Sequence, residues 1–279
     1  MSAEASTLAM FDGELLPLEA VRLPLPNRGL QFNDGFFETL ICAGGRVKWL
    51  PDHAARLQRA AAALHLDLPA SLSTPAALGA TLTRFAAASG VAGPVRLRLQ
   101  LWRGGGGLYA PPTANAHWLL TAAPFTPHDA LIAQASFATG IRTQFSPLSF
   151  CKGPYALHYV LAAQERQARG LDELLLLDAH GHVAEAVAAA VFWLKNGVLY
   201  TPSLESGCVA GIRRAHLLRV ARAHGLPCQE GLFAAAELLT AEAAFTANVA
   251  GIRAVAQIES VLFAADHPLL ADLRRWEAV

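Results

Sequence analysis

Only three of the 22 basic residues in this chain are lysines, namely Lys48, Lys152 and Lys195. Any chemistry that needs a primary amine must therefore use one of them. Lys195 falls in an Asn-Gly turn and Lys48 follows a Gly-Gly turn, both ordinary solvent positions. Lys152 lies in Ser149-Phe-Cys-Lys-Gly-Pro154, an apolar approach that turns into a helix. An amine partly withdrawn from water there would be less basic and suited to nucleophilic or proton-transfer work, although a lysine at such a place can also snorkel to the surface. Glu185 is the second anomaly, an acid inside the apolar run Val183-Ala-Glu-Ala-Val-Ala-Ala-Ala-Val-Phe-Trp193. It is expected either to hold a partner or to face water from an edge strand. Third, Gly207-Cys-Val-Ala-Gly211-Ile-Arg-Arg214 puts a glycine turn before a helix start, where free amides can hold an anion.

Weaker signals point elsewhere. Gly104 to Gly107 lacks the Gly-Lys-Ser/Thr of a phosphate loop and reads as a mobile loop over a cleft. His180 and His182 flank a turn with no third ligand in sight, so no metal site is expected. The absence of a Gly-x-Ser-x-Gly elbow argues against an α/β-hydrolase.

Elements must position these residues. With 279 residues, 53% of them hydrophobic, the chain can build one large or two medium cores. Charged residues make up 16%, and 22 acids balance 22 bases, so nucleic acid is not an expected partner. The longest uncharged stretch, Gly104 to Pro127, contains Pro111-Pro112 and cannot be a spanning helix. No signal segment is read at the N-terminus, and the four cysteines lie far apart, so a cytoplasmic address with reduced thiols is expected.

Periodicity predicts a hairpin from Phe36–Cys42 to Arg46–Leu50, then a helix opening at Pro51 with Asp52 as cap. A helix over 76–88 and strands Val95–Trp102 and Ala116–Ala123 follow, completing an α+β domain over residues 1–123. The Pro-rich stretch 124–131 is the expected linker. In the second domain, 132–279, a helix covers Tyr155–Arg169. Strands are expected at Glu173–Leu177, Val183–Leu194 and Val198–Thr201, a helix at Ile212–His224, and strands at Ala244–Asn248 and Ala254–Ile258.

In order along the chain stand Arg28-Gly-Leu-Gln-Phe-Asn-Asp-Gly-Phe-Phe-Glu-Thr39, His53-Ala-Ala-Arg-Leu57 and Val95-Arg-Leu-Arg-Leu-Gln-Leu-Trp-Arg-Gly104. Lys152 leads into its helix, and after it come Gly181-His-Val-Ala-Glu185, Thr201-Pro-Ser-Leu-Glu-Ser-Gly207, Gly211-Ile-Arg-Arg214 and Thr246-Ala-Asn248. Together, from Asn27 to Ile258, they resemble the class IV aminotransferases, pyridoxal-phosphate enzymes of fold type IV. Members include D-amino acid and branched-chain transaminases and aminodeoxychorismate lyase.

The resemblance implies a two-domain α+β fold whose C-terminal domain binds pyridoxal 5'-phosphate. It makes Lys152 the Schiff-base lysine, Glu185 the carboxylate facing the pyridine nitrogen, and Arg56 a phosphate ligand. Gly211, Ile212 and Arg213 would hold the phosphate at the helix start, with Thr246 or Asn248 as a further donor. Arg28, Phe37, Arg98 and Arg103 fall on the substrate side, Arg98 and Arg28 as carboxylate binders. The implied reaction is transamination between an amino acid and a keto acid. Lyase chemistry giving 4-aminobenzoate and pyruvate is the alternative, and a cofactor-binding homologue without turnover is the remote one. A homodimer is implied, with Arg28 crossing into the neighbouring subunit's site. The chain departs from the family at Ala189-Ala190, where Ser-Asn is common, at Arg213, where threonine is common, and at Asn248-Val-Ala-Gly251, one residue short.

Overall fold

The computed structural model describes residues 7–277. The chain divides into two compact units, Met1–Thr126 with Cys151–Pro154, and Pro127–Phe150 with Tyr155–Val279. The division after Thr126 falls inside the stretch that breaks both periodicities. The return of Cys151–Pro154 to the first unit has no signature in the sequence.

The first unit runs β1 (Leu8–Phe11), β2 (Glu14–Pro17), α1 (Arg28–Phe32), β3 (Gly35–Ala43), β4 (Arg46–Val47), α2 (Leu50–Ala63), α3 (Pro75–Ala88), β5 (Val95–Arg103) and β6 (Ala116–Pro124). Its six strands form one antiparallel sheet in the order β2-β1-β6-β5-β3-β4. Strand β5 shows why: Val95, Leu97, Leu99 and Leu101 are buried, while Arg96, Arg98 and Gln100 are exposed. The apolar face lies against α2 and α3, which bury Leu57, Ala60, Leu78, Leu82 and Phe85. Each such leucine stabilises the fold by about 1.5–3 kcal/mol.

Two local expectations change. Asp52 sits in the first turn of α2 rather than at its cap, because Trp49 takes the cap in a left-handed conformation (φ 51°) and Pro51 fills the first turn. Leu50 thus begins the helix instead of ending a strand. The β1–β2 hairpin was not anticipated, although Asp12 (φ 48°) and Gly13 (φ 96°) are the Asp-Gly pair that such a turn favours.

The second unit holds β7 (Ala135–Thr143), α4 (Ala156–Ala168), β8 (Glu173–Asp178), β9 (Val183–Ala186), β10 (Ala190–Lys195), β11 (Val198–Pro202), α5 (Ile212–Ala223) and β12 (Cys228–Gly231). The short α6 (Ala235–Leu238), then β13 (Ala243–Asn248), β14 (Gly251–Val255), β15 (Gln257–Ile258), β16 (Val261–Leu262) and α7 (Pro268–Glu277) complete it. One sheet is ordered β12-β11-β10-β13-β14 and the other β16-β15-β7-β8-β9. Trp193, Leu175, Val191 and Val255 belong to a core shared by residues of both sheets. Leu217 of α5 and Leu273 of α7 pack with Phe192 and Phe245 of the first sheet, and Ala162 of α4 packs with Leu174 and Leu176 of the second.

The single strand expected over Val183–Leu194 is two strands, β9 and β10, in different sheets. The small residues Ala188 and Ala189 let the chain turn a corner there, closed by the Ala186 amide on the Ala189 carbonyl (2.8 Å). Similarly, the strand expected over Ala254–Ile258 is split between β14 and β15.

Candidate active site

In the first unit, β3 alternates its side chains, so Glu38 faces inward among apolar neighbours and is 1% exposed. Residues His53 and Arg56 are three apart on α2 and share a helix face. Glu38 accepts from Arg56 through Nε (2.7 Å) and Nη2 (2.6 Å), and its Oε2 lies 2.7 Å from His53 Nδ1. Burial alone would raise the pKa of Glu38, but the charge of Arg56 and the hydrogen bonds from His53 and Arg56 bring it down to about 2. The guanidinium of Arg56 is thereby locked in place, a precondition for gripping a phosphate.

Lys152 is half-buried, while Lys48 is exposed and Lys195 donates to Thr240 Oγ1 at 2.8 Å. The Lys152 segment adheres to β3: the Phe37 amide donates to the Lys152 carbonyl (2.8 Å), and Asn33 Nδ2 donates to the carbonyls of Gly153 (2.6 Å) and Pro154 (3.1 Å). Gly153 has φ 133°, and a β-carbon on it would lie 2.9 Å from the Phe36 Cα. Only glycine lets the segment pass so near the strand. The neighbouring Cys151 thiol is pushed up to about 11, chiefly by burial, so it stays protonated at neutral pH and is no competing nucleophile.

Two of the substrate-side arginines make contacts within the first unit. Arg28 is buried (3% exposed), with Nε on Asp34 (2.7 Å) and Nη1 on the carbonyls of Gly106 and Leu108. Its Nη1 donors thus bind the glycine loop of its own chain. Arg103 shares Asp34 (2.9 Å) and donates to the carbonyls of His65 and Leu64. These contacts tie it into the fold of the first unit. Arg98 stacks its guanidinium 3.8 Å from the centroid of the Phe37 ring.

In the second unit, Glu185 is 5% exposed on β9. It accepts a short hydrogen bond from the Tyr159 hydroxyl of α4, and the Val209 amide lies 3.2 Å from both carboxylate oxygens. Burial first, and the Glu185 charge second, raise the Tyr159 pKa, so this phenol remains a donor. The same two causes push Cys208 up to about 11.

Helix α5 begins at Ile212 after Gly211, with no side chain capping it and no acid in its first turn. The turn that demands glycine is at Gly207 (φ 82°), where a β-carbon would lie 2.6 Å from the Gln144 backbone carbon. The Arg213 side chain binds Glu277 of α7 and the Asn248 carbonyl (2.8 Å). Its added charge is neutralised, leaving its backbone amide as its contribution to the helix start. Asn248 Nδ2 donates to the Ala188 carbonyl (3.1 Å) and Oδ1 accepts from the Ala250 amide (2.8 Å). It pins the β9–β10 corner. Thr246 is 2% exposed and its hydroxyl makes no hydrogen bond among the described residues.

This donor set fits pyridoxal phosphate. An uncapped helix start without an acid and an unengaged threonine hydroxyl suit a phosphate, and a buried carboxylate suits a ring nitrogen that must stay protonated. Sequence reasoning missed Glu38 and Tyr159 as functional residues. The first was legible as an inward acid on an alternating strand opposite a His-x-x-Arg helix face. Tyr159 carries no local signal, because its partner is 26 residues away.

The fold with these residues defines a fold type IV pyridoxal-phosphate enzyme. The family model for amino-transferase class IV matches residues 35–258, and the chain belongs to that family. A probable branched-chain-amino-acid aminotransferase of Rickettsia bellii is 26% identical over 224 residues, covering 79% of this chain and 76% of its own. An aminodeoxychorismate lyase of Vibrio harveyi is 25% identical over 260 residues, 90% of this chain and 93% of the lyase. Among solved structures, the branched-chain aminotransferase of Thermoproteus uzoniensis with norvaline aligns at a TM-score of 0.88 and 25% identity, covering 99% of this chain and 94% of its own. The Escherichia coli branched-chain amino acid aminotransferase shares the fold at 0.87 and 20% identity, over 98% and 93% of the two chains.

Proposed function

We propose that this enzyme transfers an amino group between an amino acid and a keto acid, using pyridoxal phosphate carried on Lys152. When bound, the cofactor supplies an electron sink for negative charge at the substrate Cα. Glu185 keeps a proton on the pyridine nitrogen, and Tyr159 and the Val209 amide hold its carboxylate in one orientation. Arg56, Thr246 and the amides of Ile212 and Arg213 bind the phosphate. The Lys152 amine moves a proton between the substrate Cα and the cofactor C4′.

The observation that carries this reading is the state of Glu185, an acid 5% exposed whose hydrogen bonds from a phenol and a backbone amide leave it poised for a cationic ring. Borohydride reduction of the loaded enzyme followed by peptide mapping tests it, with the label expected on Lys152. A label on Lys48 or Lys195 contradicts the assignment. Glu185→Ala should retain the label at Lys152 yet lower kcat by orders of magnitude. Activity within a few-fold of the original enzyme refutes the role.

The lyase reading draws on the Vibrio harveyi relative, whose match spans more of both chains than that of the Rickettsia enzyme. Release of pyruvate from aminodeoxychorismate without a keto-acid acceptor would establish it. We also propose a homodimer, supported by Leu157, Val160 and Leu161, an exposed apolar stripe on α4. Light scattering should give twice the chain mass. The described residues contain no helix long and apolar enough to cross a membrane. We place the enzyme in the cytoplasm, where its four free cysteines, three of them buried, remain reduced.

A further inference from the structure

Helix α5 has no acid in its own first turn, yet the fold brings one there from α7. Glu277, the last residue of α7, accepts from Arg213 Nε (2.9 Å) and Nη2, while Arg213 Nη1 donates to the Asn248 carbonyl (2.8 Å). Arg213 is the second residue of α5, so its backbone amide is among the free donors of that helix start. With side chains 12% and 9% exposed, the pair is shielded and screened by salt far less than a surface pair.

The docking of α7 does not depend on this pair. Leu270 and Leu273 share one core with Leu217 and Leu218 of α5, Trp276 stacks on His224 at 4.4 Å, and Arg274 donates to the Ile252 carbonyl (2.9 Å). Electrostatics gives the pair a different consequence. A helix start attracts an anion through its amides and dipole, a carboxylate beside it opposes that attraction, and a guanidinium adds to it. Held against each other, the two charges cancel. Removing either one leaves the other within an arginine side chain's length of the α5 amides, where a single charge alters an anion's affinity several-fold.

We infer that Glu277 sets the affinity for the cofactor's phosphate, because it holds the Arg213 guanidinium against α7 and so limits the grip of α5 to its amides and dipole. Glu277 is a positioning residue that acts through Arg213, and the C-terminal helix becomes part of the cofactor site's charge balance. The inference rests on the reading that the phosphate sits at the α5 start.

Equilibrium binding to the full chain freed of cofactor, followed by absorbance, compares pyridoxal phosphate with pyridoxal, which lacks the phosphate. Four proteins are measured: the original, Glu277→Gln, Arg213→Gln and the double variant. Glu277→Gln should bind pyridoxal phosphate about three- to tenfold more tightly, and Arg213→Gln should bind it more weakly by a similar factor. The double variant, with both charges gone, should return to within about twofold of the original. Pyridoxal should bind all four alike. A latch that merely braces α5 predicts weaker binding in every variant and no recovery in the double one. Glu277→Gln binding no more tightly than the original, or a double variant as weak as Arg213→Gln, therefore overturns the inference. Should Arg213→Gln fail to fold around its unpaired carboxylate, the sign of the change in Glu277→Gln decides alone. An original enzyme that binds pyridoxal as tightly as pyridoxal phosphate has no phosphate seat at α5, and the functional reading falls together with the inference. A clear preference for the phosphate with unmoved variants overturns the inference only.

Discussion

Glu38 is the side chain through which acid reaches the first unit. Its pKa falls from 4.5 to about 2 in the folded chain, so its attraction for Arg56 and His53 stabilises the fold fully above about pH 4.5. That contribution is lost as the pH falls through about 2. Glu38→Gln should therefore lower Tm at neutral pH and flatten the loss of Tm between pH 4.5 and 2. An acid limb as steep as that of the original protein contradicts the assignment. In the second unit, Tyr159→Phe removes one donor from a buried carboxylate and should cost about 1–3 kcal/mol in denaturant unfolding. A change under about 0.5 kcal/mol would mean the hydrogen bond contributes nothing net. The two residues differ in legibility for a physical reason. Glu38 announces itself by a strand's alternation and a helix's i, i+3 spacing, whereas Tyr159 meets Glu185 only through packing of α4 near β9.

Among elements, strands and helices with strong periodicity were legible: β3, α3, β5, β6, α4 and α5 lie where apolar spacing puts them. Corners were not. The run from Val183 to Leu194 is apolar throughout, and nothing in its pattern says that Ala188–Ala189 hands the chain from one sheet to another. Likewise the short pairing of Phe37 with Lys152 has no periodicity to betray it. That pairing depends on Gly153, where φ is 133° and backbone atoms of β3 leave no room for a β-carbon. Gly153→Ala should leave both apolar cores intact and the thermal transition cooperative, yet displace the lysine and lower kcat about a hundredfold. An active Gly153→Ala enzyme would show that the segment's path does not set the lysine's position.

For the molecule as a whole, Lys152 and Arg56 belong to one compact unit and Glu185, Thr246 and the α5 start to the other. The family's motif order was readable over most of the chain because motif residues answer to chemistry rather than to packing. The central claim is amino-group transfer, and isotope transfer tests it most directly. The loaded enzyme is incubated with ¹⁵N-labelled L-glutamate and an unlabelled 2-oxo acid, and the products are read by mass spectrometry. The label should appear in the amino acid derived from the acceptor, with 2-oxoglutarate formed in equal amount, and Lys152→Ala should abolish both. If every amino donor tried leaves the acceptor unlabelled while the cofactor remains bound, the enzyme is not a transaminase.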